Sequence, residues 1–138
     1  KAINALTTLE EIPKMEKKHL EKYGITNAQC VNAGNYHLLI EANKTDGYDL
    51  LSVCAQLRKR IFFKEMNISL FKKTLGDISL RTNEAGAGET LSCGSASAAV
   101  ASLHLKKNTK LTVNSTGGSI SLRIVGDKLE MTGPAECI

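Results

Sequence analysis

The segment from Glu84 to Leu105 constrains the fold of this chain more than any other. It opens with a glycine-rich loop, EAGAGETLSCGS, and continues into a run of small residues, SASAAVASLHLKK, whose composition and length are typical of a helix. Small side chains allow neighbouring elements to approach a helix closely. The alanines therefore predict a buried helix packed tightly under a sheet; they are Ala96, Ala98, Ala99 and Ala101.

Segments on both sides of this helix predict the strands of that sheet. NAQCVNAG and NYHLLIEA flank Gly34 and predict two short strands or one strand with a break, whereas MNISLF and DISLRTN alternate. The last predicted strands are KLTVNS, SISLRIV and KLEMT. The turn signals between them are Gly34, Leu75-Gly76-Asp77, Thr116-Gly117-Gly118 and Gly126-Asp127. The fold class is therefore α+β, a mostly antiparallel sheet with one buried, Ala-rich helix and one amphipathic helix.

Two further helices are predicted outside this core. EKKHLEKYG ends on Gly24, which is a suitable helix C-cap. A second, amphipathic helix runs to about Arg60, with Asp46 or Asp49 as its N-cap.

Composition excludes several classes of partner. Aromatic residues make up 4% of the chain, Trp is absent, and the net charge of +4 is spread over the sequence, so we expect no nucleic-acid binding. No apolar stretch approaches the roughly 20 residues of a transmembrane helix, and no signal peptide is visible, so we expect no membrane association and a cytoplasmic location. The four cysteines form no C-x-x-C pair, so we expect no metal site. Four cysteines could form two disulfides, but the composition is typical of an intracellular protein with its own core and favours free thiols.

Cys93 lies where the glycine-rich loop meets the helix. The first backbone N–H groups of a helix lack intrahelical partners, and together with the helix dipole they favour an anion. Cys93, Gly94 and Ser95 could therefore face a substrate carboxylate, and the same field would lower the pKa of the Cys93 thiol. A thiolate in that position is suited to remove a proton from an adjacent C–H group.

Placement alone leaves other interpretations open. A cysteine at the start of an alanine-rich helix is more often a small buried hydrophobic residue. The loop lacks the lysine of a phosphate-binding loop and the strand–GxGxxG–helix order of a dinucleotide site. A Cys-His protease could pair Cys93 with His37, but no protease signature surrounds either residue.

Four motifs in the same order resemble those of the diaminopimelate epimerase family. NEAGAGETLSCGSASAAVAS is similar to the signature around the family's second catalytic cysteine, Glu-Arg-Gly-x-Gly-Glu-Thr-x-x-Cys-Gly-Thr/Ser. Ala33 to His37 resembles Gly-Asn-Pro-His, and Phe62 to Phe71 resembles Phe-Pro-x-x-x-Asn-x-x-Phe. Met131 to Ala135, MTGPA, matches the family's penultimate motif. The resemblance covers roughly residues 28–138.

The resemblance implies a fold of two pseudo-symmetric domains, each wrapping a sheet around a central helix, with the active site between them. Residues 25–138 would form the C-terminal domain, and residues 1–24 would be a helical connection between domains. The motif of the N-terminal domain, Gly-Asn-x-x-Arg-Cys, is absent from this sequence. That domain would therefore be the partner of this chain, and this chain alone would be inactive. Homodimer formation is left open.

The implied activity is interconversion of LL- and meso-diaminopimelate in the biosynthesis of lysine and peptidoglycan precursors. Two thiols, one from each domain, would exchange the α-proton without pyridoxal phosphate, metal or any other cofactor. Cys93 matches the C-terminal thiol.

By matching position, the resemblance also implies roles for the other site residues. Glu84 and His37 would organise the reacting centre and the proton of Cys93. Asn35 and Asn67 would hydrogen-bond the distal amino and carboxyl groups of the substrate. Gly94 and Ser95 would bind its α-carboxylate.

One departure concerns the substrate. Ala85 stands where the family has an arginine that clamps the distal carboxylate of diaminopimelate, and a methyl group cannot replace a bidentate guanidinium contact. Arg81 could substitute if its side chain points the right way. A racemase of another amino acid, such as histidine, or a non-catalytic amino-acid-binding domain are the alternatives.

Overall fold

A computed structural model describes residues 2–4, 7–90, 94–104, 110–125 and 128–133. Within these ranges, ten strands form one sheet. Cys93, Pro134, Ala135 and Cys137 lie outside these ranges. The strands are β1 (Ala2–Asn4), β2 (Thr8–Glu10), β3 (Ala28–Asn32), β4 (Tyr36–Glu41), β5 (Asn67–Thr74), β6 (Asp77–Glu84), β7 (Gly88–Thr90), β8 (Lys110–Ser115), β9 (Gly118–Val125) and β10 (Lys128–Thr132). The helices are α1 (Lys14–Glu21), α2 (Leu50–Leu57), α3 (Ile61–Lys64) and α4 (Gly94–His104).

The strand order is β1-β10-β9-β8-β6-β5-β4-β3-β2, and β7 pairs with β6 beside this path. The β4–β5 and β6–β8 pairs are parallel, and the other pairs are antiparallel. The predicted α+β class with a mostly antiparallel sheet is therefore confirmed.

The sheet curls so far that its two edge strands come close together. β1 and β2 stand at opposite ends of the strand order, yet Asn4 and Thr8 are only four residues apart in the chain. Four residues span at most about 14 Å, whereas nine strands laid flat would separate their edges by about 38 Å. The sheet therefore bends into an almost closed wrap.

α4 lies inside this wrap. Its side chains from Ala96 to Ala101 are buried, and they share one hydrophobic core with residues of β3, β4, β5, β6, β8 and β9. The sheet residues of this core are Val31, Leu39, Phe71, Ile78, Leu80, Leu111, Val113, Ile120 and Leu122. The predicted central Ala-rich helix is thus present, and its small side chains allow strands on several sides to reach it.

A second core, called the outer core below, occupies the face of the sheet that points away from α4. Leu38, Ile40, Ile68 and Leu70 alternate with the residues that face α4, so they point outward and are covered by α1, α2 and α3. The helices contribute the apolar residues Leu20, Leu50, Cys54, Leu57 and Phe63. Asp49 is the N-cap of α2, and its carboxylate accepts a hydrogen bond from the Ser52 N–H at 3.2 Å.

Residues 1–24 contain more than the predicted helical segment. β1 pairs with β10 and β2 pairs with β3, so both short strands extend the same sheet as the rest of the chain. The boundary between a connection at 1–24 and a domain at 25–138 stays a prediction.

Candidate active site

Polar side chains replace apolar ones at one end of the sheet face that packs on α4. Successive side chains of a strand point to opposite faces, so residues two apart share a face. His37 therefore lies on the same face as Leu39, Asn67 on the face of Phe71, and Glu84 on the face of Leu80. Three neighbouring strands thus direct three predicted site residues toward α4.

The strand register brings these residues to the same end of the sheet. The Cα atom of His37 lies opposite that of Asn67 in the parallel β4–β5 pair. In the antiparallel β5–β6 pair, Ile68 lies opposite Asn83, which precedes Glu84. Chain positions 37, 67 and 84 are distant in sequence and become neighbours only through this register.

His37 is fully buried, and burial lowers the pKa of its imidazole to about 4. Its Nε2 atom lies 3.0 Å from Oδ1 of Asn35. Because an amide oxygen only accepts hydrogen bonds, Nε2 carries the proton and Nδ1 has a lone pair. Nδ1 is buried and has no hydrogen-bond partner among the described residues. His37 is therefore a neutral imidazole with an unused acceptor.

The two asparagines both use their carboxamide oxygens inside the protein. Oδ1 of Asn35 accepts from His37, and Oδ1 of Asn67 accepts from the backbone N–H of Ala85 at 3.0 Å. A carboxamide has one oxygen and one NH₂ group. What Asn35 and Asn67 can still offer a ligand is mainly their N–H donors.

Glu84 ends β6 just before a tight turn. The turn is closed by a hydrogen bond from the Ala87 N–H to the Glu84 carbonyl at 3.2 Å, and Gly86 and Gly88 adopt positive φ angles of 82° and 76°. The Glu84 side chain is half-buried, and its Oε2 atom is buried without a partner among the described residues. A carboxylate oxygen in that state is available to a ligand or to a neighbouring proton donor.

After this turn the chain returns along β6 as β7, a strand where only a loop was predicted. Thr90 lies opposite Thr82, and the next described residue is Gly94, the buried first residue of α4. Residues 91–93 lie outside the described chain, so Gly94 is within about 14 Å of Thr90 by chain length alone. The start of α4 is thereby tied to the polar end of β5 and β6.

The other end of α4 points the opposite way. The ring of His104 packs against that of Phe71 with centroids 5.3 Å apart, and Phe71 lies four residues past Asn67 along β5. Eleven helical residues span about 16 Å, and four strand residues span about 13 Å. The ring contact and the short chain between Thr90 and Gly94 together place the first turn of α4, with Gly94 and half-buried Ser95, toward His37 and Asn67.

Arg81 points away from this site. It lies on the opposite face of β6 from Glu84, and its guanidinium pairs with the Glu89 carboxylate at 2.7 and 2.8 Å. It also donates to the carbonyls of Thr45 and Tyr48 at 2.7 and 2.9 Å. The Glu89 hydrogen bond raises the pKa of Arg81 further and lowers that of Glu89. The hypothesis that Arg81 replaces the arginine expected at position 85 is therefore wrong.

The remaining cysteines and histidines of the described chain are engaged elsewhere. Cys30 and Cys54 are buried in the outer core, where burial raises the pKa of each thiol to about 11. His19 lies on α1, and Nδ1 of His104 contacts the Val100 carbonyl at 2.9 Å. No group of three His, Cys, Asp or Glu side chains that could hold a metal occurs within the described ranges.

Sequence reasoning missed Arg58, which follows the last residue of α2. Its guanidinium donates to Oδ1 and O of Asn83 and to O of Met66, next to two predicted site residues. No local pattern could identify it, because its partners are 8 and 25 residues away.

None of the described helices is both long and apolar enough to cross a membrane.

A family model for diaminopimelate epimerase matches residues 29–138. The diaminopimelate epimerase of Methanocella arvoryzae is 35% identical over 127 residues, which cover 88% of this chain and 44% of that protein. The diaminopimelate epimerase of Buchnera aphidicola subsp. Baizongia pistaciae is 32% identical over 118 residues, which cover 80% and 41%. The chain therefore spans less than half the length of these relatives.

Among solved structures, a phenazine biosynthesis PhzC/PhzF protein from Clostridium difficile (strain 630) is similar in fold. Its TM-score is 0.50 at 20% sequence identity, and the match covers 70% of this chain and 37% of that one. At this identity the likeness concerns the fold alone.

Proposed function

This chain belongs to the diaminopimelate epimerase family, and on that premise we propose that it forms the C-terminal half of an amino-acid epimerase. The observation that carries the proposal is the convergence of His37, Asn67 and Glu84 on the sheet face beside the first turn of α4. Cys93 directly precedes that turn in the sequence.

The reaction is exchange of the α-proton between the two faces of the α-carbon. The Cys93 thiolate takes the proton from one face, so the C–H electron pair stays on the α-carbon. A thiol on the opposite face then delivers its own proton to that carbon. The second thiol is assigned to an N-terminal half, because the matching cysteine motif is absent from these residues.

The first turn of α4 suits the α-carboxylate of the substrate. The positive end of the helix dipole stabilises an anion there, at Gly94 and Ser95, and stabilises the Cys93 thiolate in the same way. His37 and Glu84 would organise the reacting centre, because Nδ1 of one and Oε2 of the other are buried acceptors with no partner among the described residues. Either can accept a hydrogen bond from the Cys93 thiol or from the substrate ammonium.

Asn35 and Asn67 restrict which functional group the distal end of the substrate can carry. Since Oδ1 of Asn35 and Oδ1 of Asn67 are both engaged, we assign both side chains to an acceptor on the substrate, such as a carboxylate. This revises the expectation that one of them binds an amino group. Diaminopimelate has such a distal carboxylate, which supports LL- to meso-diaminopimelate conversion and a place in lysine and peptidoglycan precursor biosynthesis.

A second candidate is favoured by Ala85. Its side chain is a methyl group, and Arg81 is committed to Glu89 on the far side of the sheet. Without a guanidinium from position 85 or 81, Asn35 and Asn67 would hold a distal carboxylate as neutral donors, and such donors bind it more weakly. A racemase acting on another amino acid, such as histidine, is therefore the alternative, and a non-catalytic amino-acid-binding domain is the third.

The test is α-proton exchange in D₂O, followed by NMR in the natural full-length protein with diaminopimelate and, separately, histidine. Exchange with diaminopimelate supports the first candidate, and exchange with histidine alone supports the second. Binding without exchange of either would leave the non-catalytic domain.

Cys93→Ser tests the assignment of the base. We expect it to reduce exchange by at least about 10³-fold, because a serine hydroxyl is a far weaker base at neutral pH. Cys54→Ala is the matched control, since the Cys54 thiol is buried in the outer core. Near-wild-type exchange in a folded Cys93→Ser protein would refute the assignment.

A further inference from the structure

Arg58 joins the ends of the two strands that carry Asn67 and Glu84. Its guanidinium donates to both the side-chain and the backbone oxygen of Asn83, the latter at 2.8 Å, and to the Met66 carbonyl at 2.9 Å. Met66 immediately precedes Asn67, and Asn83 immediately precedes Glu84. One side chain thus fixes the residues next to both proposed site residues.

This contact requires a guanidinium. Its planar fork presents several N–H donors in fixed directions, so it can reach acceptors on two strands together, whereas an ammonium group is a single compact donor. Asn83 is 1% exposed, so its carboxamide oxygen depends on Arg58 rather than on water. Arg58 lies on the outer face of the sheet, because Asn83 alternates with Thr82 and Glu84. It therefore does not touch a substrate bound on the α4 face.

We propose that Arg58 is a positioning residue of the epimerase site. By holding the ends of β5 and β6 at a fixed spacing, it keeps the Ala85 N–H within reach of Asn67 Oδ1, at 3.0 Å. That hydrogen bond turns the NH₂ group of Asn67 toward the ligand and fixes the backbone that follows Glu84. The catalytic consequence rests on the proposed function, while the geometric consequence does not.

Arg60 provides a matched control two residues further along. Its guanidinium pairs with the Glu16 carboxylate and so ties α1 to the segment between α2 and α3, rather than pairing with Met66 or Asn83. Arg58→Met and Arg60→Met each remove a guanidinium and keep an unbranched side chain. A role that is only structural would give both variants the same profile.

The first readout is amide hydrogen exchange at Ala85, measured by NMR on the chain without substrate. Arg58→Met should exchange this amide at least about tenfold faster than Arg60→Met does, relative to core amides of β5 in each variant. Arg58→Lys is the milder variant should Arg58→Met not fold, and it should show the same direction. Equal protection of Ala85 in the Arg58 and Arg60 variants would overturn the proposal, whatever the activity.

The second readout is steady-state kinetics of the full-length enzyme. Misplacing catalytic groups by about 1 Å can cost up to about 100-fold in rate, so we expect kcat to fall about 10- to 100-fold in Arg58→Met, with KM changed less than about threefold. Arg60→Met should keep kcat within about twofold. An unchanged kcat in Arg58→Met would overturn the catalytic part. If the wild type exchanges no α-proton at all, the proposed function fails and Ala85 protection alone decides the role of Arg58.

Discussion

His37 should make the stability of the chain sensitive to mild acid. Its folded-state pKa of about 4 lies below the unfolded value of about 6.5. Between these values the unfolded chain binds a proton that the folded chain excludes, so the free energy of unfolding falls as the pH drops. At pH 5 the loss relative to pH 7 amounts to about 2 kcal/mol.

Urea unfolding at pH 7 and pH 5 measures this effect. His37→Gln should remove that part of the pH dependence, because glutamine does not titrate. The control is His19→Gln, since burial also lowers the pKa of His19, although that ring lies on α1 outside the site. If the His37→Gln protein lost as much stability between pH 7 and pH 5 as the wild type does, His37 would not be the titrating group.

The candidate site residues could be selected from the sequence, but the contacts between them could not be predicted. Motif order was enough to select Asn35, His37, Asn67 and Glu84 as candidates. Which polar atom of Asn67 is already engaged depends on the Ala85 N–H, which comes within reach only through the β5–β6 register. The sequence also could not show which face of the sheet the Arg81 side chain occupies. Alternation along β6 divides its residues into two sets, but it does not say which set faces α4.

At the scale of elements, α4 should tolerate no larger side chain at its centre. Ala99 is completely buried between α4 and the surrounding strands, so Ala99→Leu has no space for three extra carbon atoms. Overpacking of this kind costs about 1–3 kcal/mol. Ala55→Leu on the exposed side of α2 is the matched control and should change stability by less than about 0.5 kcal/mol. Thermal unfolding of the two variants makes the comparison, and equal melting temperatures would contradict the tight packing of α4.

Long elements were predicted better than short ones, for a physical reason. Longer elements contain enough residues for their composition or periodicity to be recognised in the sequence. These elements are α4 and the strands β3 to β6 and β8 to β10. β1, β2 and β7 have three residues each, which is too short for alternation to show, and Gly88 in β7 favours a loop on local grounds. Their pairing is decided by the neighbouring strands β10, β3 and β6.

At the scale of the whole molecule, one sheet serves two cores. The wrap around α4 forms the first core and positions the candidate site, while α1, α2 and α3 cover the outer face. Arg58 links the two sides, because it directly follows α2 and fixes the strand ends that carry Asn67 and Glu84. Packing on the outer face is therefore expected to affect the inner site without contacting it.

Deleting the segment 1–24 tests how strongly the fold depends on packing against the outer face of the sheet. If it were only a connection, residues 25–138 would keep the stability of the whole chain. Yet Ile12 and Leu20 are buried in the outer core at 5% and 2% exposure, and β2 pairs with β3. Burying such a side chain contributes about 1.5–3 kcal/mol, so deletion of residues 1–24 should lower the free energy of unfolding by about 3–6 kcal/mol in urea titrations.

Deletion of residues 1–6 separates the contribution of β1 from this effect. It removes the strand that pairs with β10 but leaves Ile12 and Leu20 in place, so its cost should be clearly smaller. Comparable losses in both deletions would assign the stability to closure of the sheet by β1 rather than to the outer core. An unchanged urea midpoint for residues 25–138 would instead make 1–24 a dispensable connection, and the packing of α1 would then contribute nothing to the fold that holds the site.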